Sequence, residues 1–400
     1  MARGRGDKED AEKYSGLLKL VQILSFLVVF VAGIIIGLAT SAHIDTYFSP
    51  QSQLFSTSTS TSTVTSFHIS RSKNSYRQTQ TPSPSPPLDC LSMDVFIHPT
   101  NLTHKLSDDE LFWRASLTPY KKEYPFPRVP KVAFMFLTRG PLPFMPLWER
   151  FFKDHYKYFS IYLHTPPDYY LTVSTDSPFY GRQIPSKRVE WGTVSLADAE
   201  RRLLANALLD FSNERFVLLS ESCIPVCNFP TVYKYLIGSS YSFVESYDDP
   251  TRYGRGRYNR KMLPHIKLYQ WRKGSQWFEM QRSVAMYIIS DTKYYNLFKK
   301  YCKPACYPDE HYIPTFLNMF HGSMNANRTV TWVDWSMGGP HPATHGGVNV
   351  TEDFIKAIRN NGTLCQYNEE QTSVCYLFAR KFAPSALEPL LNLSSTVMNF

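Results

Sequence analysis

Blocks of apolar residues alternate with mixed blocks from residue 131 onward, and this pattern predicts short buried strands separated by amphipathic helices. The continuous apolar run at 132–137 is ended by Arg139-Gly140-Pro141, as expected of a buried parallel strand. A helix is predicted next, because four large apolar residues within 146–155 recur at helical spacing. The remaining predicted elements are a strand at 161–163, a helix at 196–209 and a strand at 216–219.

The predicted order of strand, helix, strand, helix indicates an α/β domain built on a largely parallel sheet covered by helices on both faces. Ser195 and Asp198 have the spacing of a capping box that would open the helix at Leu196. Ligands of such sheets bind at the carboxyl ends of the strands. In this chain those ends are predicted at His164-Thr165, at 191–195 and at 220–222.

Residues 17–39 form an apolar block that predicts a membrane anchor. They carry one charge, Lys19, and from Leu20 onward give about 20 apolar or small residues, enough to cross a bilayer. A cleaved signal peptide is the alternative, but its apolar core is usually only roughly 7 to 15 residues long. Four basic residues within 1–16 are expected to keep the N-terminus in the cytosol, which places everything after His43 on the lumenal side.

Residues 49–87 are rich in Ser, Thr and Pro, carry no acidic residue and show no apolar periodicity. Such a segment cannot bury enough surface to fold, and it predicts a stem. The predicted organisation is a cytosolic tail at 1–16, an anchor at 17–39, a stem at 40–89, a lead-in at 90–130 and the catalytic domain at 131–400.

Sequons and cysteines agree with a lumenal domain. The five sequons are at Asn101, Asn327, Asn349, Asn361 and Asn392. All seven cysteines follow the predicted anchor, and two pairs, Cys223/Cys227 and Cys302/Cys306, have a spacing that also suits zinc. We expect disulfides instead, because the lumen is oxidising, and an odd number of cysteines leaves at least one unpaired.

Composition fits one large core in 400 residues, of which 43% are hydrophobic. The net charge of +9 would suit nucleic acid, but the predicted topology excludes that partner. A basic lumenal surface is expected to meet a diphosphate or an acidic glycan.

No Asp-x-Asp motif occurs in the chain, although many nucleotide-sugar transferases hold a divalent ion on such a pair. Without it, Lys or Arg must offset the charge of the diphosphate. Arg380 and Lys381 directly follow an apolar stretch and could face a pocket at a strand end. An ordinary solvated basic turn is the alternative.

Glu310 falls in the first turn of a predicted helix that begins near Pro308. Acidic residues are common there because they interact favourably with the helix dipole. A carboxylate is also the group that an inverting transferase needs to take the proton of the acceptor hydroxyl. The residues alone leave both roles open for Glu310.

The segment 252–261 carries five cations interleaved with tyrosines and glycines. It resembles an RNA-binding tract, but a flexible, solvated loop beside the active site, closing over an acceptor glycan or a carboxylated sugar, fits the predicted topology better. Trp271, Trp277, Trp332 and Trp335 could stack on sugar rings or simply fill the core.

An ordered series of motifs carries a resemblance to a known family. The motifs are the segments 131–143, 220–225, 274–278, 308–310, 339–342 and 378–384. Together they resemble the plant brittle-culm-type branch of the core-2/I-branching β-1,6-N-acetylglucosaminyltransferase family, over about residues 130–392. The resemblance implies a type II, Golgi-resident, inverting enzyme with a GT-A fold, a mostly parallel Rossmann-like sheet, that works without a metal.

The resemblance also assigns roles to residues. Glu310 matches the catalytic base, Lys381 matches the lysine that replaces the metal opposite the donor diphosphate, and Glu245 matches the acceptor-binding glutamate. The family has a further arginine beside the diphosphate, expected near Trp335-Ser336, where this chain has Met337. Either Arg380 substitutes for that arginine, or donor binding is weaker or altered.

The expected site therefore has a donor side and an acceptor side and no metal or cofactor. The donor side comprises Lys381, Arg380, His164, Ser220 and Trp191, and the acceptor side comprises Glu245, Arg257, Arg260, Trp277 and Trp332. The expected partners are a nucleotide sugar, a glycan or glycoprotein acceptor and the Golgi membrane, and a homodimer is allowed for.

The leading hypothesis is an inverting, metal-independent transfer of a GlcNAc-like or other sugar from a UDP-sugar to a hydroxyl of the acceptor. One alternative is a transferase for UDP-glucuronic acid, UDP-xylose or UDP-galactose in cell-wall polysaccharide or arabinogalactan synthesis. Another, motivated by Met337, is an inactive, membrane-anchored glycan-binding or scaffold protein.

Overall fold

The computed structural model describes residues 101–118, 123–303 and 306–400, together with the isolated positions 25, 27, 30, 93 and 97. The chain divides into a unit up to Pro84 and a unit from Ser85 to Phe400, and the elements below belong to the second unit. Apart from three helical positions, the predicted anchor and stem lie outside the described residues. No helix within the described part of the chain is both long and apolar enough to span a membrane.

The main sheet has four strands in the order β2-β1-β3-β5. They are β1 (Lys131–Leu137), β2 (Phe159–His164), β3 (Asn213–Ser220) and β5 (Glu279–Gln281). β1 pairs in parallel with both β2 and β3, while the edge strand β5 runs antiparallel to β3. The three predicted strands are confirmed, each with somewhat wider bounds, and the sheet is mostly parallel as expected.

Nine helices are present in the described residues, and the two that were predicted between the parallel strands are confirmed. They are α1 (Asp108–Ser116), α2 (Met145–Phe152), α3 (Val194–Leu208), α4 (Phe229–Ile237), α5 (Arg282–Ser290), α6 (Lys293–Tyr301), α7 (Pro308–Phe320), α8 (Glu352–Arg359) and α9 (Leu387–Leu393). The predicted capping box at Ser195 is wrong, because α3 begins earlier. Its N-cap is Thr193, whose side chain accepts a hydrogen bond from the backbone N–H of Ser195.

Aromatic side chains fill the space between β1 and α2. Phe134 is fully buried and contacts Phe152 edge to face at 4.9 Å between ring centroids, and Phe152 stacks on Phe159 at 4.3 Å. Trp148 meets Phe136 edge to face at 5.2 Å. Burying each such ring stabilises the fold by about 1.5–3 kcal/mol, so this layer fixes the position of the β1 carboxyl end.

A smaller sheet carries the C-terminal cations. It has the order β4-β9-β6, formed by β4 (Ile224–Pro225), β9 (Phe378–Arg380) and β6 (Thr331–Val333). β9 is antiparallel to β4 and parallel to β6. Lys381 therefore lies immediately after a strand end, and Arg380 is the last residue of that strand. A separate hairpin is formed by β7 (Cys365–Tyr367) and β8 (Glu370–Thr372).

Two disulfides are formed, Cys302–Cys306 and Cys365–Cys375. Disulfides were expected in preference to zinc for Cys223 and Cys227, with the pairing left open, and these two cysteines form none, since both thiols are free and buried. The physical reason is that β4 lies between these two cysteines and extends the backbone, at about 3.3 Å per residue, which separates them. Cys90 lies outside the described residues.

Candidate active site

A cavity of about 880 Å³ opens at the carboxyl ends of β1, β2 and β3. Its wall includes Thr138 and Arg139 after β1, Thr165 after β2, and Glu221 after β3. The first turn of α7 and the end of β9 complete the wall. The position agrees with the rule that parallel sheets bind ligands at this edge.

The cavity brings together most of the residues singled out from the sequence. Those that line it are Glu310, Lys381, Arg380, His164, Ser220, Trp191, Glu245 and Trp277. Arg257 reaches it through Glu310, to which it is hydrogen bonded. Trp332 and Arg260 are not among the lining residues: Trp332 packs on Phe354 at 5.9 Å, and Arg260 is exposed on the protein surface.

Glu310 lies in the first turn of α7, as predicted, and two cations hold its side chain. Arg257 Nη1 donates to Glu310 Oε2 at 2.6 Å, and Lys273 Nζ lies 3.3 Å from the same oxygen. Oε1 accepts no hydrogen bond from any residue that the structure describes. The carboxylate is therefore fixed by one oxygen while the other is available to a ligand in the cavity.

The wall beside Glu310 is built by close packing of backbone segments around Gly274. The N–H of Gly274 donates to the carbonyl of Glu310 at 2.9 Å, and Tyr247 and Lys273 exchange a pair of backbone hydrogen bonds, both at 2.9 Å. A Cβ on Gly274 would collide with the backbone carbonyl of Glu245. Only glycine permits this approach, which places Glu245 and Glu310 on one wall.

Glu245 is half-buried on that wall. Burial raises the pKa of its carboxyl group, while Lys273 and a hydrogen bond from the backbone of Ser275 oppose the shift. Burial alone would lower the pKa of Lys273, but the Glu310 carboxylate and Tyr247 raise it, so that lysine is held in its charged form.

Behind Glu310 lie two further carboxyl groups that are almost fully buried. Asp309 lines the cavity, is 6% exposed, and its Oδ1 has no hydrogen-bond partner within the described ranges. Glu200, on α3, accepts a hydrogen bond from Gln276 Nε2 at 2.9 Å. Burial, and then the Glu310 carboxylate, raises the pKa of Asp309 to about 7, and burial with Asp309 raises that of Glu200 well above its usual range.

Further cations line the cavity at the ends of β1 and β9. Lys381 and the well-exposed Arg139 both line it, and Arg139 Nε donates to Glu221 Oε1 at 2.9 Å. Burial lowers the pKa of Lys381, and the positive charges of Arg139 and Arg380 lower it further. A cluster of like charges that is only partly offset by one carboxylate provides a site for an anion.

Arg380 contributes to this part of the cavity differently from Lys381. Its guanidinium lies 4.1 Å above the ring of Trp277, and its Nε is buried without a hydrogen-bond partner among the described residues. Trp277 is thus only 6% exposed and is covered by Arg380, so it is not an open platform for a sugar ring.

His164 and Ser220 lie at the bottom of the cavity. Burial, with the charge of Arg202, lowers the pKa of His164 to about 3, so the imidazole is neutral. The backbone N–H of Lys187 lies 3.4 Å from His164 Nε2. Ser220 Oγ is 3.1 Å from Ser222 Oγ. Both side chains support the cavity floor from strand ends.

Two tryptophans remain open at the cavity, Trp335 at 51% and Trp191 at 58% exposure. Trp191 contacts Tyr307 at 5.1 Å between ring centroids, and Tyr307 has a left-handed backbone with φ of 52°. The guanidinium of Arg257 also lies over the ring of Tyr307, 4.0 Å from its centroid. Backbone strain of this kind is often found at functional sites. By contrast, Trp271 is buried and stacks on Phe298.

Three residues of the site were not singled out from the sequence: Arg139, Lys273 and Asp309. Arg139 directly follows the predicted β1 strand, so its position at a carboxyl end was a signal that could have identified it. Asp309 is adjacent to Glu310 in the chain. No sequence pattern identifies Lys273, because only the packing of Gly274 brings it to Glu310.

Within the part of the chain that the structure describes, no cluster of three or more His, Cys, Asp or Glu side chains is arranged to ligate a metal ion. The cavity offers the Glu310 carboxylate, with one oxygen free of hydrogen bonds from described residues, together with the cations Arg139 and Lys381. Such a cavity can bind an anion and accept a proton.

The chain was compared with known proteins. Residues 132–359 match the sequence profile of the family described as Core-2/I-Branching enzyme. The chain is also 36% identical over 314 residues to a protein of Oryza sativa subsp. japonica named Glycosyltransferase BC10. That alignment covers 67% of this chain and 78% of the rice protein.

Proposed function

The chain belongs to the core-2/I-branching enzyme family and is a glycosyltransferase, and from this premise we propose that it transfers a sugar from a UDP-sugar to a glycan hydroxyl in one displacement, with inversion and without a metal. The observation that carries the proposal is the Glu310 carboxylate, held by Arg257 and Lys273 through one oxygen, in a cavity that Arg139 and Lys381 also line.

In the proposed reaction, the acceptor hydroxyl gives its proton to Glu310 while its oxygen attacks the anomeric carbon of the donor. The bond from that carbon to the diphosphate breaks, and UDP leaves with the electron pair. Attack from the face opposite the leaving group inverts the configuration at the anomeric carbon. A positioned general base contributes about 10²–10⁴-fold to the rate of such a step.

The leaving diphosphate is offset by Lys381 and, we propose, by Arg139. Met337, which stands where the family resemblance implies an arginine, is 81% exposed and apolar. Arg380 is covered by Trp277, whereas Arg139 is exposed in the same cavity as Lys381. This favours Arg139 over Arg380 as the second cation, and the presence of both a base and cations favours turnover over a scaffold role.

The site of action that we propose is the Golgi lumen, with a type II topology set by the anchor at 17–39. The donor is a UDP-sugar of the GlcNAc type, with UDP-glucuronic acid, UDP-xylose and UDP-galactose as the alternatives. The two disulfides support an oxidising compartment. The acceptor is a glycan or glycoprotein.

The decisive test is UDP release by the purified full-length protein from a panel of UDP-sugars, with and without EDTA. We expect turnover that EDTA does not reduce. Glu310→Gln should retain the fold and UDP affinity but lower kcat by about 10²–10⁴-fold, because the amide cannot accept the proton. Glu388→Gln, an exposed carboxylate at the start of α9, is the control.

Restoration of activity by Mn²⁺ after EDTA treatment would contradict the metal-independent step. Full activity of Glu310→Gln would remove Glu310 as the base.

A further inference from the structure

One side of the molecule next to the cavity is strongly basic. Neither 250–278 nor 292–308 contains an acidic residue. Seven exposed cations in these stretches have no carboxylate partner within the described ranges, and we call them the basic face: Arg252, Arg260, Lys261, Lys267, Lys293, Lys300 and Lys303.

The basic face is built on an ordered scaffold. Trp271 Nε1 donates to the carbonyl of Gly254 at 3.1 Å, and the same ring stacks on Phe298 of α6 at 5.4 Å. Asn259 Nδ2 donates to the carbonyl of Tyr301 at 2.8 Å, which joins the loop to the end of α6. The segment is thus packed against the domain, unlike the flexible, solvated loop expected from its sequence.

Exposed rings and apolar side chains are interleaved with the cations. Tyr253 is 49% exposed and Tyr269 is 66% exposed. Flat rings beside cations suit a polysaccharide that bears carboxylates, since the rings pack on sugar faces while the cations pair with the acidic groups.

The same segment continues into the active site. Arg257 lies between Arg252 and Arg260 in the chain, and it bonds Glu310 inside the cavity. A polysaccharide bound along the basic face can therefore place its terminal residue beside Glu310. A membrane surface would not account for this continuity.

We propose that the basic face docks a carboxylated polysaccharide whose terminal residue enters the cavity as the acceptor. This rests on the proposed function and names the class of its acceptor. Several exposed charge pairs would act together here, since each alone contributes little to binding.

The test is a binding measurement on the full-length protein in mild detergent with a long oligogalacturonate as the probe. The same oligomer with its carboxylates methyl-esterified is the neutral control. We expect binding to the acidic oligomer only, weakened about tenfold by raising the salt concentration from low to several times physiological.

The double variant Arg260→Glu with Lys261→Glu should weaken binding of the acidic oligomer by about tenfold or more. Lys153→Glu with Lys157→Glu is the matched control, because both lysines are exposed and precede β2 at the opposite edge of the sheet. UDP affinity, measured by calorimetry, should be the same in all three proteins.

Equal binding of the acidic and esterified oligomers, or no effect of the Arg260/Lys261 reversal, would overturn the proposal. Binding to vesicles rich in anionic lipid without binding to the oligomer would assign the face to a membrane and would also overturn it. Absence of UDP binding would count against the proposed function. The proposal for the basic face is judged by the binding of the oligomers alone.

Discussion

At the scale of single residues, the site depends on three neighbouring carboxyl groups in different states. Glu310 is held between two cations, whereas Asp309 and Glu200 are buried without a cation in hydrogen-bond contact among the described residues. Burial favours the neutral acid at Asp309 and Glu200. The proposed base, Glu310, is thus the one carboxyl group of the three that cations hold by a direct contact, and its buried neighbours add little repulsion while they are protonated.

Asp309→Asn should make stability less dependent on pH. In the folded state the pKa of Asp309 is raised to about 7 from its ordinary value of 3.8, so the folded state binds its proton more tightly than the unfolded chain does. The contribution of that proton to stability is present at low pH and is lost as pH rises from about 4 through 7.

We therefore expect the free energy of unfolding of the Asp309→Asn variant, relative to the natural protein, to increase between pH 5 and pH 8. Denaturant titrations at the two pH values measure it. An unchanged difference would show that Asp309 titrates normally.

Lys381→Ala and Arg139→Ala should each weaken UDP binding by about tenfold or more, since a hydrogen bond to a charged group is worth about 1.5–3 kcal/mol. Isothermal titration with UDP measures the loss. Lys153→Ala, an exposed lysine distant from the cavity edge, serves as the control. If Arg380→Ala weakened UDP binding while Arg139→Ala did not, the assignment of the second cation would move to Arg380.

At the scale of elements, the strands and helices with strong apolar patterns could be predicted, and the short ones could not. β1, α2 and α3 have continuous or periodic apolar residues, and all three are confirmed. β4, β6 and β9 are two or three residues long, and tertiary packing rather than local pattern creates them. The pairing of β9 with β4 and β6 joins residues more than 40 positions apart in the chain, which periodicity cannot indicate.

The same limit applies to the site. The positions of Glu310 and Lys381 at the ends of elements could be predicted, and both line the cavity, whereas the roles expected for them came from the family resemblance. Lys273 depends on a backbone contact between Gly274 and Glu245 that has no local signature. The free thiols of Cys223 and Cys227 likewise depend on the strand between them.

Gly274→Ala should disturb the junction of three segments. Its Cβ would lie 3.0 Å from Pro314 Cγ on α7 and would overlap the carbonyl of Glu245. Overpacking of this kind costs about 1–3 kcal/mol, and here it would displace Glu245 relative to Glu310.

We expect Gly274→Ala to raise KM for the acceptor and lower kcat, while UDP affinity stays within about twofold, because the atoms that the new Cβ meets belong to Glu245 and Pro314 and not to Arg139 or Lys381. Steady-state kinetics measures it. Gly322→Ala is the matched control, since its Cβ would make only an ordinary contact of 3.8 Å with the carbonyl of Leu317. Equal effects of both variants would contradict a specific role for the junction.

At the scale of the whole molecule, the position of the sequons bears on topology. All five asparagines are exposed, so an oligosaccharide at any of them would extend into solvent. The side-chain oxygen of Asn101 accepts hydrogen bonds from the backbone N–H and the hydroxyl of Thr103, and both bonds lie on the protein surface.

If the domain is lumenal, treatment of the protein from a eukaryotic host with a peptide N-glycosidase should increase its electrophoretic mobility. Replacing all five sequon asparagines with Gln should abolish that shift. The protein made in the cytosol of a bacterium, which lacks this modification, is the control. No shift in the eukaryotic product would contradict the lumenal orientation.

The contacts of Glu310 have a consequence for how members of such a family diverge. Both cations that hold Glu310, and the glycine that positions the wall beside it, come from the continuous stretch 245–310. Arg139 and Lys381, the cations proposed to offset the leaving group, come from outside that stretch. Exchange of this one stretch between relatives should thus transfer the preference for an acceptor, while the affinity for the nucleotide stays unchanged.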